Sequence, residues 1–95
     1  MSATIASNPA ESRYEVLVDG ELGGILGYQL DNGVIDLRHT VVMPEHRGQG
    51  IAGMLAERAF EDARAQGLKV IPTCPFVLAW TKDHPEVADL LVDRA

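Results

Sequence analysis

The chain has a single cysteine, Cys74, so an internal disulfide and any multi-cysteine zinc site are excluded. Its three histidines, His39, His46 and His84, are scattered without ligand spacing, and no metal is expected. Basic residues are scarce: eight Lys and Arg stand against fourteen Asp and Glu, for a formal net charge of −6. A general nucleic-acid binder needs a basic face to neutralise phosphates, so that class is set aside, whereas an amine or basic-peptide partner is compatible with the charge. No apolar run approaches the roughly 20 residues needed to cross a bilayer. Residues 1–13 hold neither a basic leader nor an apolar h-region, so the expectation is a soluble protein of the cytoplasm, off the membrane. Internal repeats and low-complexity segments are absent.

At 95 residues the chain makes one domain. A chain of this size buries roughly 60 to 65% of its unfolded surface, enough for a single core. Residues 1–12, rich in Ser, Ala, Asn and Pro, read as a flexible lead-in, and residues 13–95 as the domain. Tyr14, Val16 and Val18 alternate up to Asp19-Gly20, a hairpin signal. A second strand follows from Leu22 to Leu30, weakened by Gly23, Gly24 and Gly27. Asp31-Asn32-Gly33 turns the chain into a third, Val34 to Val42, with Ile35, Leu37, His39 and Val41 on one face and Asp36, Arg38 and Thr40 on the other. Ala52, Leu55, Ala56, Ala59, Phe60 and Ala63 then mark one stripe of a helix that Gly67 terminates. Leu68 to Pro72 reads as a short buried strand, which the crossover places parallel to the third. Cys74-Pro75 opens a short helix, with Phe76 and Trp80 read as core. Asp83-His84-Pro85 opens a last one to about Asp93, with Val87, Leu90 and Leu91 inward.

Between the third strand and the long helix lies Pro44-Glu45-His46-Arg47-Gly48-Gln49-Gly50-Ile51-Ala52, where no side chain is suited to cap the helix start. Free N–H groups and the positive end of the helix dipole suit an anion there, and Arg47 adds a full charge. No acid occurs from Arg47 to Ala56. The same glycines can also serve only to allow a tight entry into the helix. Gly48 to Gly53 satisfies G-x-G-x-x-G, but the region that would supply the ribose-binding acid, Leu68 to Pro72, contains none, and the chain is too short for a dinucleotide fold. A Walker loop is excluded by the missing Gly-Lys-Ser/Thr.

The arrangement Arg47-x-x-Gly50-x-Ala52, between an antiparallel meander and an amphipathic helix, resembles the acetyl-CoA motif of GCN5-related N-acetyltransferases. His39-Thr40-Val41-Val42-Met43-Pro44, Ile71-Pro72-Thr73-Cys74-Pro75-Phe76-Val77 and His84-Pro85-Glu86 extend the resemblance, from about Tyr14 to Val92, to the very small YjdJ-type branch. Val41 stands where many relatives carry an acid and Val87 where many carry an aromatic. The resemblance implies a minimal α+β fold, a mixed and mainly antiparallel sheet packed by one long helix and two short C-terminal helices. It implies acetyl-CoA as co-substrate and an amine acceptor on a small molecule, protein or peptide. By the same resemblance, the backbone of Arg47, Gly48, Gln49, Gly50, Ile51 and Ala52 binds the pyrophosphate, while that of Val41, Val42 and Met43 pairs with the pantetheine.

Acetyl transfer needs a neutral amine, a donor for the tetrahedral oxyanion and a stabilised leaving thiolate. The Val42 N–H is a candidate oxyanion donor. Cys74 is a candidate nucleophile, its pKa lowered if it caps the short helix, or a small hydrophobe filling a gap beside the cofactor. His39 is a candidate general base or a pocket-wall residue. The principal alternative is a module that binds acetyl-CoA without efficient catalysis, and a purely structural domain is a third reading. Acceptor and oligomeric state are not legible.

Overall fold

A computed structural model describes residues 2–92. Five strands form one sheet in the order β1-β2-β3-β4-β5: β1 Ala3–Asn8, β2 Arg13–Val18, β3 Glu21–Asp31, β4 Val34–Val42 and β5 Lys69–Ile71. Neighbours are antiparallel except β4 and β5, which run parallel because the helix α1, Ile51–Gln66, carries the chain back between them. Helix α2, Pro75–Lys82, and a 3-10 helix, Pro85–Leu90, follow. This is the expected α+β architecture, with the last short helix wound as 3-10 and ending before Leu91. Leu91 instead bridges Val70, and the Val92 N–H donates to the Val70 carbonyl at 2.9 Å. The expected limit of that helix, about Asp93, lies outside the described residues.

The segment expected as a flexible lead-in is a strand. From Ala3 to Asn8 it pairs with β2, and Asp19 clamps its start by accepting from the Ser2 N–H through Oδ1 while donating its own N–H to the Ser2 carbonyl. Ala3 and Ile5 pack against the core, an alternation too short to stand out from the surrounding Ser, Asn and Pro.

One face of the sheet is apolar and α1 lies on it. Val16, Leu26 and Leu37 from the sheet meet Leu55, Ala59 and Phe60 from the helix, and α2 adds Val77. Truncating Leu37 or Leu55, both fully buried, to Ala would cost about 2–5 kcal/mol. The helix ends as expected at Gly67, φ 70°, whose N–H bonds back to the last turn. At its start the buried residue is Ile51 rather than Ala52. The reason lies in β3: a Cβ on Gly24 would stand 2.8 Å from Ile51 Cγ2, and one on Gly23 would stand 3.2 Å from Ile51 Cδ1. These glycines let the helix N-terminus settle onto the sheet. Tyr14, in the core, donates its hydroxyl to Asp62 of α1 at 3.0 Å, and burial together with that bond pushes the phenol pKa up. No helix among the described residues is long and apolar enough to cross a membrane.

Candidate functional site

β4 is bulged. Tyr28 pairs with Leu37 and Gly27 with His39, leaving Arg38 as the extra residue. Ile35 and Leu37 face the helices. Beyond the bulge the alternation is reset, so that Thr40 and Val42 are the half-buried positions while His39 and Val41 are exposed. The expected shared face of Ile35, Leu37, His39 and Val41 is therefore corrected: a simple period-2 reading cannot register one added residue. The His39 ring lies over Gly27 on the outer face.

The bulge coincides with the point where the parallel strands part. β5 pairs with β4 only as far as Asp36, and the last link is the Cys74 N–H donating to the Leu37 carbonyl at 2.8 Å. Past it, β4 has a free edge. The Met43 N–H donates to the Gly23 carbonyl at 2.8 Å, which makes Val42 and Gly24 a pair without mutual hydrogen bonds. The Val42 N–H and C=O consequently turn away from β3 into the gap. Val41, the adjacent residue in the ladder, turns its backbone towards β3, and Met43 spends its carbonyl on the His46 N–H at 2.9 Å. Of the expected pantetheine-pairing residues, only Val42 offers its backbone to the gap.

Val42 also lines a hollow of about 280 Å³ with Arg47, Gly48, Gly50, Ile51 and Phe76. Gly48 and Gly50 have φ of 79° and 77°, a conformation that suits glycine. Gly50 caps α1 with no side-chain hydrogen bond, and the first turn has no acid. Among the described residues nothing accepts from the N–H groups of Gly48, Gln49, Gly50, Ile51 or Ala52. The Arg47 N–H differs, leaning on the Pro44 carbonyl at 3.4 Å. A Cβ added at Gly48 or Gly50 would meet no protein atom, so the space over these amides is open. Unpaired donors, a helix dipole and an arginine around an open hollow fit an anionic group such as a pyrophosphate. Phe76 is 40% exposed and belongs to this wall instead of the core. α2 buries Val77 and Thr81, which leaves positions 76 and 80 at its flank.

Cys74 is the N-cap residue of α2 without a side-chain capping bond. The residue is 4% exposed and its thiol lies 3.3 Å from the Thr40 hydroxyl, on the helix-packed side of the sheet. His39, on the outer face, is not brought to it. Thr40 is the partner that sequence reading missed, because only the bulge turns it inward. Also unforeseen from spacing, Glu21, Glu45 and His46 place their ligand atoms within 4.8 Å of one another beside the loop. His46 Nδ1 contacts Gln49 Oε1 at 3.2 Å, and its buried Nε2 has no partner among the described residues.

A model of the family described as GCN5-related N-acetyl-transferase matches residues 13–90. The chain belongs to that family. The solution structure of a GCN5-like protein from Staphylococcus aureus superimposes with a TM-score of 0.74 at 24% identity, over 97% of this chain and 90% of that one. Aminoglycoside N-acetyltransferase AAC(6')-Iy, solved in complex with CoA, gives 0.51 at 20% identity, over 87% and 62%. Among curated proteins, Protein NATD1 of Gallus gallus is 36% identical over 52 residues, 55% of this chain and 47% of that protein. The match thus spans about half the length of that relative. GCN5-related membership agrees with the parted strands and the uncapped helix start.

Proposed function

We propose that the chain is an acetyl-CoA-dependent N-acetyltransferase acting on an amine acceptor. One observation carries the reading: the hollow lined by Gly48, Gly50, Ile51 and Ala52, whose N–H groups have no acceptor among the described residues, is also lined by Val42, the residue whose backbone opens into the gap between β4 and β5. A ligand with a pyrophosphate at one end and an extended, amide-bearing arm at the other matches that continuity. The amides of Gly48, Gln49, Gly50, Ile51 and Ala52, with the Arg47 guanidinium, would hold the pyrophosphate, and the Val42 edge would hold the arm. When bound, acetyl-CoA supplies the activated acyl carbon.

The chain's own residues then orient and stabilise. A backbone N–H fixed in a strand is a preorganised donor, and that of Val42 is assigned to the oxyanion. Holding both reactants in one gap supplies much of the rate. The thiol of Cys74 is buried and engaged with Thr40, so we assign it to packing beside the thioester, with direct transfer to the amine. His39, exposed on the outer face, is the candidate base for an amine arriving from that side. Gly27 gives its ring a place to lie.

A second reading, a module that binds acetyl-CoA without efficient turnover, is favoured by the open outer face, where Val41 is 43% exposed. Two measurements separate the readings. Acetyl-CoA at a hundredfold excess over Kd should stabilise the fold by about 2.7 kcal/mol, and NAD should not. An amine panel scored for CoA release then tests turnover. Absence of a melting shift with millimolar acetyl-CoA in folded protein would remove both readings; a shift without release on any amine leaves the binding module.

A further inference from the structure

A hollow larger than the one at the phosphate loop lies elsewhere on the described residues. A groove of about 960 Å³ runs between the later turns of α1 and the 3-10 helix Pro85–Leu90. α1 rises about 1.5 Å per residue, which puts Arg64 about 20 Å along the helix from Gly50. Nothing in the acetyl-transfer reading uses this groove.

Its floor is aromatic and fixed. Trp80 is stacked between Phe60, at 5.3 Å and 15°, and His84, at 3.7 Å and 12°. His84 Nδ1 contacts the Trp80 carbonyl at 2.8 Å, which holds the outer ring of the stack. Its walls are acidic. Glu57 and Glu61 project from α1 on one side and Glu86 stands on the other, all exposed, and none has a salt-bridge partner among the described residues. Arg64, which also lines the groove, is committed to Asp89 at 2.9 Å and to the Glu86 carbonyl at 2.9 Å. Glu57 and Glu61 also line a smaller hollow with Ile5, Met54 and Arg58, the arginine being paired with Asp62.

We propose that this groove docks a basic amphipathic segment of a partner protein. Its apolar side chains would cover the half-buried rings of Trp80 and His84, seated on the buried Phe60 and Val87, and its Lys or Arg side chains would meet Glu57, Glu61 and Glu86. Complementarity selects this occupant. A second copy of the chain, at net charge −6, brings like charge to an acidic wall. A bare polyamine leaves the aromatic floor uncovered, and a neutral apolar ligand leaves the carboxylates unused. A rigid tryptophan in a desolvated groove is a common anchor of protein recognition. The proposal stands independently of catalysis, because it concerns a surface remote from the phosphate loop.

Trp80 is the chain's one tryptophan, so its fluorescence reports on the groove directly. The probe is a synthetic peptide of about twelve residues with Leu and Lys at helical spacing. Controls are its Leu/Glu counterpart and a Lys-only peptide of equal charge. The expected result is a saturable change in Trp80 emission with the Leu/Lys peptide, weakened about tenfold or more by Glu57→Lys with Glu61→Lys and by raised salt. Both substitutions fall on exposed helix positions, so the variant should fold, as circular dichroism will check, and should keep its acetyl-CoA melting shift. No saturable change, equal binding of the Leu/Glu or Lys-only peptide, or unaltered affinity in the double variant would overturn the proposal. So would a concentration-dependent dimer in sedimentation that the same variant abolishes, since the groove would then be filled by a second copy.

Discussion

The imidazole of His39 lies directly over Gly27, so that a Cβ at position 27 would stand 2.5 Å from its Cε1 and Nε2. The glycine is therefore the seat of the ring, and the β4 bulge at Arg38 is what turns His39 to this face. Gly27→Ala displaces the ring without altering its chemistry. Because His39 is exposed, it can swing into solvent, and the stability change should stay within about 1 kcal/mol. We expect unchanged acetyl-CoA affinity and acetyl transfer slowed about tenfold or more, since positioned proton transfer is a substantial contribution. A wild-type rate with Gly27→Ala and with His39→Ala would exclude His39 from the reaction.

The phosphate loop makes a sharper demand. Gly50 sits at φ 77° with open space where a side chain would project. Gly50→Val forces a β-branched residue into a left-handed conformation, at a cost of about 1–2 kcal/mol, and fills the space over the amides. Arg47→Glu leaves the backbone alone and reverses the charge. Each should weaken CoA binding by about tenfold or more in a calorimetric titration, with the valine variant also melting lower. Two folded variants with wild-type affinity would place the anion elsewhere.

The loop, the long helix and the parallel strand after it were legible because each has a local signature: glycines at a helix start, a stripe at i, i+3 and i+4, and a short apolar run behind Gly67. What was not legible depends on register. One extra residue, Arg38, inverts the facing of everything after it, which is why His39 was grouped with Leu37 and why the contact between Thr40 and Cys74 was missed. β1 was missed because its residues are neither strongly apolar nor β-rich, and its place is secured by pairing with β2. Phe76 and Trp80, four apart on a short helix, read as core packing. Trp80 does pack against the core, stacked on Phe60 while also bordering a separate groove, whereas Phe76 flanks the phosphate loop because α2 packs inward through Val77 and Thr81.

Tyr14 gives the fold an alkaline limit. Its phenol pKa is raised by burial and by the bond to Asp62, so the folded state holds the proton more tightly than the unfolded one, whose value is 10.0. The sign follows: this contribution is complete below pH 10 and is lost as pH climbs above it towards the folded value. Melting temperature should fall above about pH 10, and Tyr14→Phe should flatten that part of the profile while lowering stability at neutral pH by about 1 kcal/mol. An alkaline decline identical in the two proteins would assign it to other groups.

Cys74 tests whether the reaction passes through the enzyme. The thiol is buried against the Thr40 hydroxyl at 3.3 Å, in the position of a filler between the end of β4 and the start of α2. Reactive cysteines are partly exposed, whereas Cys74, although it stands at the N-cap of α2, is buried. Cys74→Ala should therefore keep acetyl-CoA binding and most of the turnover, and cost about 1 kcal/mol through a small cavity. Cys74→Ser should do the same while retaining a polar contact with Thr40. A covalent route predicts the opposite pattern, with turnover collapsing in both variants while binding survives. Mass spectrometry of the wild type during turnover decides between them: an acetyl adduct on Cys74 that passes to the amine at the turnover rate would refute direct transfer.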